Sequence, residues 1–340
     1  MPLVLKFLLW ALALLVLLIA VAFVLAARHT ARAEAAHPPE GQFIEVDGRR
    51  VHAVVAGAGP DVVLIHGSSG STRDFTFGLV DALSGNYRVI AFDRPGHGYS
   101  DPLPGGGSIT DQARLLQAAA AALGADKPVV LGQSYGGAVA LAWAIDRPDT
   151  LSALVPVSSP SQPWEGPLPW LYQLNSTWWA PYTSIPLIAA FVPDAYVQSQ
   201  LEAVFLPQDM PDGFDTHIGV DLILRPTAQR ANALQRATLL EEVRAMQPRY
   251  PDISVPIEIV HGDADDTVPF EIHAQPLAEQ APTARLTRLP GIGHLPQHVA
   301  KGDVIAAVDR AATRAGLRYA AAPAHSARGT AGAEHERSSL

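Results

Sequence analysis

Three kinds of side chain that could act together on a carbonyl group stand far apart in this 340-residue chain. Ser134 sits among glycines in VVLGQSYGGAVALAWA, residues 129–144. Asp263, Asp265 and Asp266 stand in HGDADDTVP, and His294 stands in GIGHLPQ. A serine hydroxyl is inert near neutral pH unless a base takes its proton and an acid orients that base. Serine, acid and histidine in this chain order could supply those parts, and the chemistry would be nucleophilic attack on a carbonyl. A turn serine or a hydrogen-bonded loop histidine would explain either residue alone, but would leave their joint presence unexplained.

Each of these residues follows a segment that reads as a buried strand. Short β-rich runs recur as QFIEV, RRVHAVVAG, DVVLIHG, YRVIAFD, PVVLG, SALVPVS, PIEIVHG and ARLTRLPG. The first two flank Asp47-Gly48, a hairpin signal. Helical stretches are expected between the later ones, over residues 72–83, 110–123, 135–145, 270–280 and 299–315. Buried strands alternating with amphipathic helices imply a mostly parallel sheet covered on both faces, with two antiparallel strands leading in. Ser134 then lies on a tight turn between a strand and a helix, at the sheet edge where α/β folds bind ligands. Such a turn is strained and needs small residues two before and two after, which Gly132 and Gly136 provide. The helix start adds free N–H groups and a positive dipole end. An earlier strand ends in HGSSGS, whose turn at Gly67-Ser68 can point N–H groups to the same place.

The alternation lapses over residues 161–250, a proline-punctuated segment holding Trp164, Trp170, Trp178 and Trp179, with helical stretches only at SQLEAVF and TAQRANALQRATLLEEVRAM. It is expected to be a helical cap inserted into a core made of residues 41–160 and 251–317. The four tryptophans, with Ser69, are candidates for an apolar substrate pocket; the tryptophans could instead form the cap's own core or touch a bilayer. Residues 318–340 are rich in Ala, Gly, Ser and charge and are expected to be disordered.

Five motifs in register resemble those of the α/β-hydrolase superfamily, in its cap-bearing serine hydrolase branch: HGSSGS, DRPGHGYSD, GQSYGG, HGDADDTVP and GIGH. The likeness covers roughly residues 42–315. It implies an eight-stranded sheet and a Ser–Asp–His triad. The family pattern G-x-x-D-x-x-V-P falls on Gly262, Asp265, Val268 and Pro269, which makes Asp265 the acid and leaves Asp263 and Asp266 as loop residues. By the same resemblance His294 is the base, and the backbone N–H groups of Tyr135 and Ser68 bind the oxyanion. His66 and His261 are expected to brace their loops. Haloalkane dehalogenases and epoxide hydrolases of this family carry aspartate at the elbow, where this chain has serine. The expectation is hydrolysis of a small or medium uncharged ester or related acyl compound through an acyl-serine. Acyl transfer, perhydrolysis or carbon–carbon bond hydrolysis on the same triad are alternatives, as is a binding module without catalysis.

No cofactor or metal is expected. The aspartate loop lacks the glycine and late glutamate of a calcium loop, and the G-x-G of DRPGHGYSD is not a dinucleotide fingerprint. A net charge of −9 with no basic run argues against nucleic acid. The absence of cysteine excludes disulfides and thiolate chemistry. The expected partners are an apolar acyl substrate and, through residues 7–27, a lipid bilayer. That run carries no charge over 21 residues, enough to cross a hydrocarbon core of about 30 Å. Residues 1–28 therefore read as an anchor and residues 29–40 as a linker. A signal peptide cleaved near Ala31–Ala33, releasing a secreted domain, is the rival. Orientation is nearly balanced, with Lys6 on one side and Arg28 and Arg32 on the other.

Overall fold

Runs of Val, Ile and Leu too short for helices form the sheet: β1 (Gln42–Val46), β2 (Arg49–Ala56), β3 (Asp61–Ile65), β4 (Arg88–Phe92), β5 (Val129–Gln133), β6 (Ala153–Val157), β7 (Ile257–Gly262) and β8 (Ala284–Leu289). The computed structural model describes residues 2–317; the expected tail over residues 318–340 lies outside the described residues. The strand order is β1-β2-β4-β3-β5-β6-β7-β8, with β2 antiparallel to β1 and β4 and all later neighbours parallel. Alternate residues of one strand serve opposite layers. In β3, Val63 and Ile65 join one apolar cluster while Val62 and Leu64 join the other. Pro156 has no N–H to give, and the pairing of β6 with β7 skips from Leu154 to Val157.

Helices fall where amphipathic runs were expected, with two interruptions. The first breaks at Gly78, whose φ of 123° no other residue takes easily, into Thr72–Thr76 and Leu79–Ser84. The last is split at Ala300 into Pro296–Val299 and Lys301–Arg314. Ser108 and Asp111 form a capping box that starts Ile109–Ala122.

Beyond β6 the chain leaves the sheet and forms the helices Trp170–Ser176, Ser184–Phe191, Asp194–Phe205, Phe214–Ile218, Val220–Ile223 and Pro226–Met246 before returning to β7. This segment is more helical than its sequence suggested. In Ser184–Phe191 the proline falls in the first turn, where its missing N–H costs nothing. The N-terminal helix also differs from expectation. It runs unbroken from Leu3 to Ala36, so residues 29–36, read as linker, continue it. Their alanines favour helix, and docking fixes it: Ala33 is buried, Arg225 Nη1 donates to Glu34 at 2.8 Å, and His29 Nε2 lies 3.1 Å from the Asp221 carbonyl.

Candidate active site

Ser134 directly follows β5 and caps the helix Tyr135–Asp146 with φ 50° and ψ −122°. A non-glycine residue held there stores on the order of 1–3 kcal/mol of strain. The turn closes because glycines surround it. A Cβ at Gly132 would strike the Gly136 carbonyl, and one at Gly136 would strike the carbonyls of Ile65 and His66. The strain holds the Ser134 hydroxyl at the carboxyl edge of the sheet.

The loops after β7 and β8 bring the other two groups to that edge. His294 Nε2 lies 3.0 Å from Ser134 Oγ, and its Nδ1 lies 2.8 Å from Asp265 Oδ2. Asp265 Oδ1 accepts from the N–H groups of Thr267 at 3.0 Å and Val268 at 2.8 Å, which locks the carboxylate. An ionised carboxylate can only accept, so Nδ1 of His294 carries the proton and Nε2 is left free to take one from the hydroxyl. Asp263 instead bonds Arg288 at 2.9 Å and the Gly291 N–H at 2.6 Å, and Asp266 is exposed.

His261 makes a contact that sequence reasoning did not foresee. Its Nε2 donates to the Val268 carbonyl at 2.7 Å and also stands 3.2 Å from Asp265 Oδ2. It braces its loop as expected, and it is a second imidazole on the acid. Its place four residues before Asp265, at the end of β7, was the available clue. Burial alone would raise the Asp265 carboxyl, but hydrogen bonds from His261 and His294 outweigh that and hold it well below the usual carboxylate range.

The turn after β3 packs closely against Ser134. A Cβ on Gly67 would come within 3.1 Å of Ser134 Cβ. The N–H groups of Ser68 and Tyr135 make no hydrogen bond among the described residues. Arg94, fully buried, fixes this turn: Nε donates to the His66 carbonyl and Nη2 to the Gly67 carbonyl, both at 2.9 Å. Across a trans peptide the N–H of Ser68 points opposite to the Gly67 carbonyl, so holding the carbonyl aims the donor. Nη1 of Arg94 reaches Gln112 at 2.9 Å and Gln235 at 2.6 Å, and the guanidinium carbon lies 4.2 Å from the Tyr135 ring centroid. Burial lowers the Arg94 guanidinium to about 10, which leaves it charged. Ser69, with φ 56°, is held by Asn232 of the long cap helix, whose Nδ2 donates to Ser69 Oγ at 2.7 Å.

Two cavities lie in this region of the protein. One of about 250 Å³ touches Ser134 itself and is lined by Trp164, Arg236, Thr267, Ile272 and His273. The other, about 420 Å³ and mostly apolar, lies under the cap with Ser69, Gly70 and Ser71 on one wall and Trp170 and Tyr172 on another. Of the tryptophans singled out for a pocket, Trp164 and Trp170 thus line a cavity. Trp178 and Trp179 line neither; Trp178 is 80% exposed because its strand of chain joins two short cap elements at the surface.

Three histidines near the site are buried and held neutral. Burial, then the charge of Arg94, keeps His66 and His97 well below an ordinary imidazole, and burial with the neighbouring His261 pushes His273 down to about 4. Below pH ~6.5 the unfolded chain takes up these protons while the folded chain refuses them, so stability falls as pH falls. For His273 alone the window down to about pH 4 corresponds to about 3 kcal/mol. Urea midpoints are therefore expected to drop between pH 7.5 and pH 5; equal midpoints would contradict the neutral assignment.

The arrangement can take a proton from a serine hydroxyl and offer two N–H donors to a developing oxyanion. Comparison with known proteins agrees with this architecture. A protein of Mycobacterium tuberculosis with no assigned function is 26% identical over 274 residues, 77% of each chain. The acetyltransferase component of the acetoin cleaving system of Cupriavidus necator is 37% identical over 118 residues, 34% of this chain and only 31% of that protein. A crystal structure of an α/β-hydrolase fold protein from Burkholderia ambifaria superposes with a TM-score of 0.66 at 26% identity, covering 79% of this chain and 96% of the other. The family model for the α/β-hydrolase fold matches residues 60–301, from the start of β3 to beyond His294, and so the chain belongs to the α/β-hydrolase fold family.

Proposed function

We propose that this hydrolase-family chain is a serine hydrolase that cleaves an uncharged carboxylic ester with an apolar acyl part. The observation that carries the reading is the unbroken relay from Ser134 Oγ to His294 at 3.0 Å and on to Asp265 at 2.8 Å. Ser134 Oγ attacks the ester carbonyl as His294 Nε2 takes its proton, and the carbonyl oxygen gathers charge against the N–H groups of Ser68 and Tyr135. The alcohol leaves with the proton from His294. Water, deprotonated by the same nitrogen, then attacks the acyl-serine, releasing the acid and restoring the hydroxyl. Charged acyl groups find little support in the mostly apolar cavity beside Ser69.

In the same reading residues 7–27 cross a bilayer. The N-terminal helix averages a hydropathy of 3.1 over its most apolar window, only 6% of which is buried in the protein.

A fluorophosphonate probe tests the chemistry. The expected result is a stoichiometric adduct that peptide mapping places on Ser134, and no adduct on Ser134→Ala. Folded wild-type protein that resists the probe would speak for a binding module instead. Nitrophenyl esters graded by acyl length, with lactones and amides alongside, would then define the acyl preference.

A further inference from the structure

The apolar helix that would cross the membrane also docks on the cap, and the level at which it docks is informative. Ala22 and Ala26 are buried although both belong to the charge-free run over residues 7–27. Two cap helices pack on this helix, Ser184–Phe191 and Val220–Ile223. His29 meets Asp221 of the second, and from this we take Ser184–Phe191 as the cover of the earlier turns that hold Ala22 and Ala26. If the run fills a hydrocarbon core, Ala22 stands five residues, about 7.5 Å, inside its end. The element covering it must then sit at the level of the bilayer interface.

That element suits such a place. Its sequence is SIPLIAAF, with no charge, and it turns Leu187 and Phe191 outward, Phe191 being 57% exposed. Trp170–Ser176 and the short turn Ala180–Tyr182 pack beside it and carry Trp170, 72% exposed, and Tyr182, 63% exposed. Exposed Trp and Tyr grouped around an apolar helix form the surface that membrane interfaces favour, and one that a water-facing domain rarely keeps.

The same helix is a wall of the larger cavity. Ile188 of the helix lines it, as do Val192 and Tyr196 just beyond, and so does the Ser69–Ser71 segment beside the candidate oxyanion donor Ser68. We infer that the aromatic face of the cap lies in the bilayer interface and that the cavity behind it takes the acyl chain of an ester dissolved in that bilayer. A long-chain ester reaches the cavity without leaving lipid, its carbonyl carbon meeting Ser134 at the inner end. The smaller cavity at Ser134, with Arg236 and His273 in its lining, receives the alcohol part. This deepens the ester-hydrolase reading and rests on it for the chemistry, and on the crossing helix for the placement.

The chain has no cysteine, so single labels can be placed cleanly. Full-length protein carrying Tyr182→Cys or Phe191→Cys is labelled with a fluorophore and reconstituted in phosphatidylcholine vesicles with and without nitroxide-bearing lipid. Lys127→Cys, exposed just before β5 at the opposite sheet edge, is the reference. Labels at 182 and 191 are expected to lose about half their emission or more to the lipid nitroxide, and the label at 127 almost none. In parallel, Tyr182→Asp with Phe191→Asp is expected to cut the rate on a long-chain ester held in vesicles about tenfold, and to leave a short water-soluble ester within about twofold. Labels at 182 and 191 as free of lipid quenching as the one at 127 would overturn the placement, whether water or a second copy of the chain covers the face. The quenching does not involve Ser134, so a failed hydrolase assignment and a failed cap placement appear in different measurements.

Discussion

Asp265→Asn is expected to lower kcat by about 10⁴-fold while leaving KM and folding nearly unchanged. The loss comes from proton placement and leaves the shape of the site intact. In the wild type Oδ1 accepts two backbone N–H groups, from Thr267 and Val268, and Oδ2 accepts from His294 and faces His261. An asparagine keeps its oxygen on the two backbone donors, because the amide nitrogen cannot accept there. Its NH₂ then faces His294 Nδ1, which has to give up its proton to be an acceptor. The tautomer flips, Nε2 carries the hydrogen, and the imidazole cannot take one from Ser134. The same NH₂ also confronts the Nε2–H of His261, which stays committed to the Val268 carbonyl. Steady-state kinetics on a short nitrophenyl ester, with a denaturation curve as control, measures this. A loss below about tenfold would mean that His294 is oriented by something other than Asp265.

The convergence of Ser134, Asp265 and His294 was readable in the sequence because each follows a strand and the strands of a parallel sheet end at one edge. β5, β7 and β8 end at Gln133, Gly262 and Leu289, each within a few residues of Ser134, Asp265 and His294. The choice among three aspartates needed the family pattern. The structure supplies its physical counterpart: only Asp265 stands two and three residues before N–H groups that fold back onto Oδ1, which leaves Oδ2 for a histidine. What stayed hidden was held by distance in the chain. Asn232 grips Ser69 from 163 residues away, and Gln235 accepts from Arg94 across 141. No local pattern announces such pairs, since a polar residue on an exposed-looking helix face reads as solvated. The linker expectation failed for a related reason. Residues 29–36 carry no apolar period of their own and become helix because the cap is there to receive Ala33, Glu34 and His29. The helix Ser184–Phe191 was obscured by its proline, which is harmless only because it falls in the first turn.

Arg94→Met is expected to be the costliest change outside the triad, in stability and in rate together. The guanidinium lies in a layer between the turn at Gly67 and the cap helix Pro226–Met246, with no carboxylate bonded to it among the described residues. Its partners are carbonyl oxygens, those of His66 and Gly67 and the side-chain amides of Gln112 and Gln235. Methionine fills much of the space and bonds none of them. Each buried acceptor left without a donor costs about 1–3 kcal/mol, so several kcal/mol of stability should be lost. The rate should fall further, by about 10²- to 10³-fold at a temperature where the variant is folded, because the Gly67–Ser68 peptide is then held only through the His66 Nδ1 bond to the Gly67 carbonyl, at 2.9 Å, and its N–H is aimed less firmly at the oxyanion. Arg94→Lys keeps the charge but not the fork that bonds two successive carbonyls, and is expected to fall between the two. A purely structural role would weaken the fold without altering transition-state recognition, so the deciding measurement is affinity for a boronate or trifluoromethyl ketone. These form a tetrahedral adduct on Ser134 that needs the oxyanion donors, whereas substrate KM does not. If Arg94→Met weakens the inhibitor in step with kcat and leaves KM alone, the arginine acts through the peptide it holds. If inhibitor affinity is untouched, Arg94 only supports the fold.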